Sequence, residues 1–196
     1  MIRLLGRKNS IAVQKVLWTA SEIGIKNLER SDVGGAFGFP ESYSSLNPNS
    51  TVPTLIDING FTLWESHAIC KYLVSKYEKS EETVCSLYPR DVQIRAKVDQ
   101  WLDWKATTLY PHIRTIYFTI VRTPAEKRNM DMLNSAKVEC NIKWKIVNDE
   151  LTQNSKKYLC GNSLTLADLP LAISFHRWHS IIDKSDRIQV PALEDW

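Results

Sequence analysis

The sequence predicts two domains of different class, an α/β domain followed by an all-helical one. Over residues 1–78, short apolar runs alternate with stretches of helical periodicity. At residues 79–87 the polar segment KSEETVCSL interrupts this pattern, and from residue 88 to residue 196 apolar residues recur almost throughout at helical spacing. We therefore assign residues 1–78 to the first domain, 79–87 to a linker and 88–196 to the second domain.

The first domain is predicted to run in the order strand, helix, strand, β-hairpin, helix. Ile2–Leu5 is a short apolar strand, and Ile25–Val33 is a weaker strand candidate. Val52–Ile58 and Phe61–Leu63 are strands joined at Asn59-Gly60, a dipeptide typical of tight hairpin turns. The two helices are indicated by apolar residues that share one face: Val13, Val16, Leu17, Ala20 and Ile23 in the first, and Ala68, Ile69, Tyr72 and Leu73 in the second.

The second domain begins with a long predicted helix. Pro89 is a suitable first-turn residue for it, and Pro111 is expected to kink it. Thr123-Pro124 is expected to start a second long helix. The segment Thr165-Leu-Ala-Asp168 has the form of a capping box, in which a hydroxyl and a carboxylate satisfy free amides, so a third helix starts there. Apolar residues on both faces of that helix predict a central, buried position.

The charge and the apolar runs exclude several classes of function. The chain has 25 Lys and Arg against 22 Asp and Glu, a net charge of +3, without a basic arm or stripe, so we expect no nucleic-acid partner. The apolar part of the first ten residues is too short for a secretory signal, and no later run has the length needed to cross a bilayer. These observations predict a cytoplasmic protein without membrane contact.

No metal or disulfide framework is expected. The four cysteines, Cys70, Cys85, Cys140 and Cys160, form no CxxC pair. His176 and His179 are three residues apart on a predicted helix, but no third ligand stands out, and structural or surface histidines are more common than metal ligands in this arrangement.

Five features of the chain resemble those of cytosolic glutathione transferases in order and spacing. They are Ser10 in the turn after the first strand, NPNSTVPTL at 47–55, WES at 64–66, the all-helical second half and SLTLADL at 163–169. The resemblance covers nearly the whole chain and is strongest with the bacterial theta- and beta-like members, which open with a segment of the form LxGRxNSxxVQKVLW. It implies an N-terminal thioredoxin-like domain, an all-helical C-terminal domain, glutathione as co-substrate without a metal, and a homodimer.

The resemblance also implies which residues hold glutathione. Pro53 follows a cis peptide bond in the family, and Val52 then exchanges main-chain hydrogen bonds with the cysteinyl part of the tripeptide. At the start of the next helix, Ser66 is matched to the γ-glutamyl carboxylate and Glu65 to its ammonium group. Simpler structural explanations exist for each residue, since Pro53 is also suited to starting an edge strand and Glu65 and Ser66 to capping a helix.

Ser10 is the catalytic candidate, at a position where theta-like members keep a serine and beta members a cysteine. A free thiol has a pKa near 8.5, so a hydroxyl donor and the positive end of the first helix would favour the glutathione thiolate. Asn9 is adjacent and is an alternative donor, and Ser10 is also a common type of helix cap. Asn49 stands where many members place a residue that reaches the glycyl carboxylate, but here the charge is missing, so Arg7 or Lys8 becomes a candidate cation.

The electrophile pocket is expected between the Ser10 loop and the long helix that carries Trp104, Thr108, His112 and Tyr117, although aromatic residues at helical spacing are more often core. The function implied is conjugation of the glutathione thiolate to small hydrophobic electrophiles. A glutathione-dependent dehalogenase or peroxidase on the same scaffold is an alternative, as is a non-catalytic binding module. Retention of Ser10, Pro53, Glu65 and Ser66 favours an enzyme over a module.

Overall fold

The computed structural model describes residues 1–79, 86–153 and 157–196, which form two compact units, Met1–Tyr88 and Pro89–Trp196. Most of the predicted linker at 79–87 lies outside the described residues. Both predicted fold classes are confirmed, since the first unit is a four-stranded sheet with helices and the second is helical.

The first unit follows the predicted order of elements. It contains β1 (Ile2–Leu5), α1 (Ile11–Glu22), β2 (Leu28–Ser31), a 3-10 turn (Gly35–Phe37), α2 (Tyr43–Leu46), β3 (Thr54–Ile56), β4 (Thr62–Trp64) and α3 (Ser66–Tyr77). The strand order is β2-β1-β3-β4, with β1 parallel to β2 and antiparallel to β3. The predicted bounds of β1 are confirmed, whereas β2 and β3 are shorter than the sequence suggested. At β3, Val52 and Pro53 precede the strand, and Asp57 already begins the hairpin turn.

The strand register brings four strand ends to one edge of the sheet. Leu5, the last residue of β1, pairs with Ser31 at the end of β2 and with Thr54 at the start of β3. Thr54 in turn pairs with Trp64, the last residue of β4. We call the row Ser31, Leu5, Thr54 and Trp64 the aligned edge. The loops that leave it carry the residues singled out above.

Packing and one buried carboxylate hold the first unit together. α1 packs against α3, and Val13, Val16, Ile69 and Leu73 are fully buried. At the turn between β3 and β4, the Asp57 carboxylate accepts hydrogen bonds from three side chains of α3, namely Tyr72, Lys76 and Tyr77. Burial raises the pKa of Asp57, but these hydrogen bonds outweigh burial and leave the pKa below its usual range. The hairpin is thereby tied to α3.

The second unit contains α4 (Val92–Trp104), α5 (Tyr110–Tyr117), α6 (Met130–Gln153), α7 (Asp168–Ile181) and α8 (Pro191–Glu194). Wide π turns at Lys105–Leu109 and Phe118–Arg122 flank α5. Pro111 lies at the start of α5, directly after the first π turn. None of the helices among the described residues has both the length and the apolar character needed to cross a membrane.

Two predicted helix starts in this unit are wrong. α4 begins at Val92 rather than at Pro89, because the Asp91 side chain accepts a hydrogen bond from the amide of Ile94 at 2.8 Å and so caps the helix. α6 begins at Met130 rather than at Thr123-Pro124. Asn129 plays the same capping role there, since its side-chain oxygen accepts from the amide of Met132 at 2.9 Å.

The capping box at α7 is confirmed. The Asp168 carboxylate accepts from the Thr165 amide at 2.7 Å and from the Thr165 hydroxyl at 2.8 Å. It also accepts from the amide of Leu159 at 2.9 Å, which ties the preceding loop to the helix. Asp168 is buried, so its loss would leave these donors without an acceptor and without water.

We expect Asp168→Ala to lower the free energy of unfolding by about 3 kcal/mol, the sum expected for a lost cap and buried donors left unsatisfied. Urea denaturation followed by circular dichroism measures the loss. Asp183→Ala is the matched control, because Asp183 is exposed and its side chain caps nothing. Equal stability of the two variants would show that the buried hydrogen bonds contribute nothing net.

Candidate functional site

Loops at the aligned edge carry five of the predicted site residues. Ser10 ends the loop that follows β1, Val52 and Pro53 precede β3, and Glu65 and Ser66 follow β4. The first two loops touch closely at Gly6. A Cβ atom added at Gly6 would lie 2.5 Å from the Val13 side chain and 3.1 Å from that of Val52, so only glycine fits there.

Ser10 is buried at the N-terminus of α1, but its side chain does not cap the helix. Its carbonyl oxygen accepts from the Gln14 amide at 2.9 Å, whereas its hydroxyl makes no capping hydrogen bond. The interpretation of Ser10 as an ordinary side-chain cap is therefore not supported. Its hydroxyl lies beside the positive end of a twelve-residue helix, an arrangement suited to stabilising an anion. Asn9, the alternative donor, is exposed.

The Val52–Pro53 peptide bond is cis, and Pro53 is buried. Within residues 1–79 and the other described segments, no hydrogen bond reaches the main-chain N–H or C=O of Val52. Val52 is only half-buried, so these two groups are positioned to pair with an extended ligand.

A buried polar network fixes the loop that carries Val52. The Tyr43 hydroxyl donates to the Thr51 carbonyl at 2.7 Å and lies 2.8 Å from the Thr54 hydroxyl. The Asn47 amide donates to the same carbonyl at 2.9 Å. Burial raises the pKa of Tyr43, although hydrogen bonds with Thr54 and Asn47 oppose this, so the phenol stays protonated. Tyr43 and Asn47 were not identified from the sequence, where Asn47-Pro48-Asn49 indicated only a loop.

The position of Asn49 is fixed by the same network, through hydrogen bonds to Asn47. Its amide nitrogens donate to the side-chain oxygen of Asn47, the main-chain one at 3.0 Å and the side-chain one at 3.3 Å. Asn49 is exposed and uncharged, so the candidate cation for a carboxylate at this end of the site has to come from another segment.

Glu65 and Ser66 lie at the junction between β4 and α3. Glu65 has φ 69° and ψ 111°, a conformation that costs a non-glycine residue free energy and that typically persists where function requires it. Its side chain is exposed and makes no capping hydrogen bond. Ser66 is buried as the first residue of α3, at the positive end of the helix. The junction therefore presents a carboxylate, a hydroxyl and a helix N-terminus together.

The predicted electrophile residues lie along one stretch of the second unit. Trp104 ends α4, Thr108 lies in the π turn, and His112 and Tyr117 belong to α5. All four are half-buried, in contrast to the fully buried residues of the same stretch such as Leu109 and Ile113.

The described residues contain no group of three or more His, Cys, Asp or Glu side chains arranged to hold a metal ion. His179, half of the histidine pair considered above, has its Nε2 atom 2.9 Å from a guanidinium nitrogen of Arg187. Its ring therefore already has a hydrogen-bonding contact within the second unit.

Comparison with known proteins agrees with this architecture. The N-terminal domain model of glutathione S-transferases matches residues 9–76, and the C-terminal domain model matches residues 109–196. Glutathione S-transferase GstB of Escherichia coli (strain K12) is 33% identical over 175 residues, covering 88% of this chain and 80% of that protein. Glutathione S-transferase D6 of Drosophila melanogaster is 32% identical over 169 residues, covering 85% and 72%.

Among solved structures, the glutathione-bound theta class glutathione S-transferase of Xanthomonas axonopodis pv. citri aligns with a TM-score of 0.89 at 34% identity, covering all of this chain and 89% of that one. Both domain models, the sequence relatives and this structure point to the same family. The chain belongs to the glutathione S-transferase family.

Proposed function

We propose that this chain conjugates the glutathione thiolate to small electrophiles, with the tripeptide bound at the aligned edge of the first unit. The observation that carries the proposal is the main chain of Val52, which has no hydrogen-bond partner among the described residues and lies between the loops bearing Ser10 and Ser66. The C=O and N–H of an extended cysteinyl residue pair with the N–H and C=O of Val52.

The two ends of the Glu65-Ser66 junction match the zwitterionic γ-glutamyl group. The Ser66 hydroxyl and the first amides of α3 bind its carboxylate, and the Glu65 carboxylate pairs with its ammonium. Among the described residues, Glu65 forms no ion pair of its own, which leaves its charge available to the ligand. This arrangement explains why a strained backbone is kept at Glu65.

The chemical step is a nucleophilic substitution or addition. The Ser10 hydroxyl donates a hydrogen bond to the thiolate sulfur, and the N-terminus of α1 adds its positive potential, so the thiol loses its proton to solvent more easily. The sulfur supplies the electron pair of the new bond to the electrophile. In a substitution, the leaving group departs with the electrons of the broken bond. Displacement of halide is one case of this step, and so a dehalogenase activity needs no different site.

We propose that Trp104, Thr108, His112 and Tyr117 line the surface that receives the electrophile. Their half-burial supports this role, because each leaves part of an aromatic or polar side chain outside the core of the second unit.

We also infer that the protein is a cytoplasmic homodimer that acts in detoxification. Cys70 and Cys140 are free thiols, as expected for a reducing compartment. Val138, Ile142 and Ile146 are exposed at four-residue spacing on α6, and this apolar stripe supports contact with a second copy.

We expect Ser10→Ala to raise the pKa of the bound thiol towards the value of about 8.5 for a free thiol. Because one pKa unit corresponds to a tenfold change in thiolate below that pKa, kcat below neutral pH should fall about tenfold or more, with little change in the glutathione dissociation constant. Thiolate absorbance against pH, together with a conjugation assay, measures both effects.

Ser21→Ala is the control for this experiment, since Ser21 is an exposed serine on the same helix. Asn9→Ala tests the alternative donor. If the pKa of the bound thiol were unchanged in Ser10→Ala and raised in Asn9→Ala, the donor would be Asn9.

We expect Glu65→Ala and Glu65→Gly to weaken glutathione binding equally, because both remove the carboxylate. Their stabilities should differ. Glycine tolerates φ 69°, so Glu65→Gly should be more stable to urea than Glu65→Ala by about 1 kcal/mol. Glu41→Ala, which removes an exposed carboxylate elsewhere in the unit, should leave binding unchanged. Wild-type affinity in both Glu65 variants would disprove the ammonium contact.

A further inference from the structure

Arginine and aromatic side chains form a cluster at the C-terminal end of α5 and in the π turn that follows it. The Arg114 guanidinium carbon lies over the Phe118 ring, 4.7 Å from its centroid. The guanidinium carbons of Arg122 and Arg177 lie 5.8 and 4.9 Å from the centroid of the Tyr117 ring. The two rings meet edge to face, with centroids 6.0 Å apart. We call these five residues the arginine cluster.

The local sequence explains why these side chains converge. Arg114, Phe118 and Arg122 follow one another at four-residue steps, which places them along one side of the helical stretch. The π turn continues the backbone of α5 without a break. Arg177 comes from α7, which packs against α5. Two elements of the second unit therefore bring cations to the same pair of aromatic rings.

Arg114 and Arg122 are the exposed arginines of the cluster. Among the residues that the structure describes, neither takes part in an ion pair. By contrast, Lys143 of the same unit pairs with Glu139 at 2.7 Å. Contact with a ring face orients a guanidinium but does not occupy its five N–H donors. The cluster therefore presents two exposed cations whose donors are available to an anion.

Exposed apolar surface lies between these two cations in the sequence. Phe118 and Val121 are 47% and 49% exposed, although both are large hydrophobic side chains. Both belong to the π turn, between Arg114 and Arg122. Tyr117, which we propose to line the electrophile surface, is half-buried next to them. An apolar molecule with an attached anion would meet ring surface and guanidinium groups together.

We propose that the arginine cluster selects electrophiles that carry an anionic oxyacid group, such as a carboxylate, on an apolar body. The inference rests on the proposed function, because it takes Tyr117 to belong to the surface that receives the electrophile. The anion pairs with the guanidinium groups of Arg114 and Arg122, and the apolar body covers Phe118 and Val121. The anionic group takes no part in the bond changes, in which the glutathione sulfur still displaces the leaving group.

A pair of aryl chlorides that differ by one charge tests this selectivity. The substrates are 4-chloro-3,5-dinitrobenzoate and 4-chloro-3,5-dinitrobenzamide, in which the glutathione sulfur displaces chloride from the same ring position. Each kcat/KM is divided by the rate constant of the uncatalysed reaction with glutathione, which corrects for the difference in intrinsic reactivity. For the wild type, we expect the corrected value to be about tenfold higher for the benzoate, as expected for one charge-assisted hydrogen-bonded pair.

Variants that remove or keep the charge identify the residues responsible. Arg114→Gln combined with Arg122→Gln should bring the corrected ratio of benzoate to benzamide close to one. Arg122→Lys keeps the charge and, as a single change, should keep part of the preference. Lys127→Gln is the matched control, because it removes an exposed charge from the turn that follows and should leave the ratio at its wild-type value.

Salt provides a second test that needs no variant. Exposed charges are screened within about 3 Å at about 1 M salt, so sodium chloride at that concentration should bring the wild-type ratio towards one. A ratio that does not respond to salt would contradict an ionic contact with the electrophile. This measurement decides the question even if the double variant proves to be unfolded.

The outcomes separate this inference from the proposed function. If the wild type accelerates neither reaction at saturating glutathione, the proposed conjugation fails. If the wild type accelerates both reactions with a corrected ratio near one, or if the double variant keeps the wild-type ratio, only the role of the arginine cluster fails. Equal loss of both activities in the double variant would also overturn the inference, because it would show that Arg114 and Arg122 support the second unit and not the choice of electrophile.

Discussion

The register of the first unit is the constraint on which the candidate site depends. Because Leu5 pairs with both Ser31 and Thr54, and Thr54 pairs with Trp64, the loops after β1 and β4 and the loop before β3 leave the same edge of the sheet. A shift of one residue would also turn the side chains of β1, which include the buried Leu4, to the opposite face. The hydrophobic core therefore fixes the place where an extended ligand can lie.

Hydrogen bonds within the first unit hold the loop before β3 at that edge and the turn between β3 and β4 at the opposite end of the sheet. The Tyr43 and Asn47 side chains hold the Thr51 carbonyl, and Asp57 ties the hairpin to α3. Buried polar groups stabilise a fold only when they are satisfied, and these networks meet that condition. By contrast, the main chain of Val52, which we propose to pair with the ligand, has no hydrogen-bond partner among the described residues. We interpret this division as preorganisation, in which the protein completes its supporting contacts and leaves its binding contacts open.

Local chemistry was enough to predict much of the fold, whereas tertiary contacts were not visible in the sequence. The Asn59-Gly60 hairpin and the α7 capping box were predicted because their signals lie within a few residues. The predicted starts of α4 and α6 were wrong because Asp91 and Asn129 cap these helices, so that neither begins at the proline that precedes it in the sequence. Motif spacing pointed to Ser10, Val52, Pro53, Glu65 and Ser66. It did not predict the packing of Arg7 against Gly34 and Gly35, which joins residues about 27 positions apart.

The most direct test of the central claim is a titration of the isotopically labelled protein with reduced glutathione, followed by amide chemical shifts. We expect saturable shifts at Ser10, Val52 and Ser66, and little change at the opposite end of the sheet, where β1 and β4 begin. Saturable shifts confined to residues away from the aligned edge, or none at millimolar glutathione, would contradict the assignment of this edge as the tripeptide site.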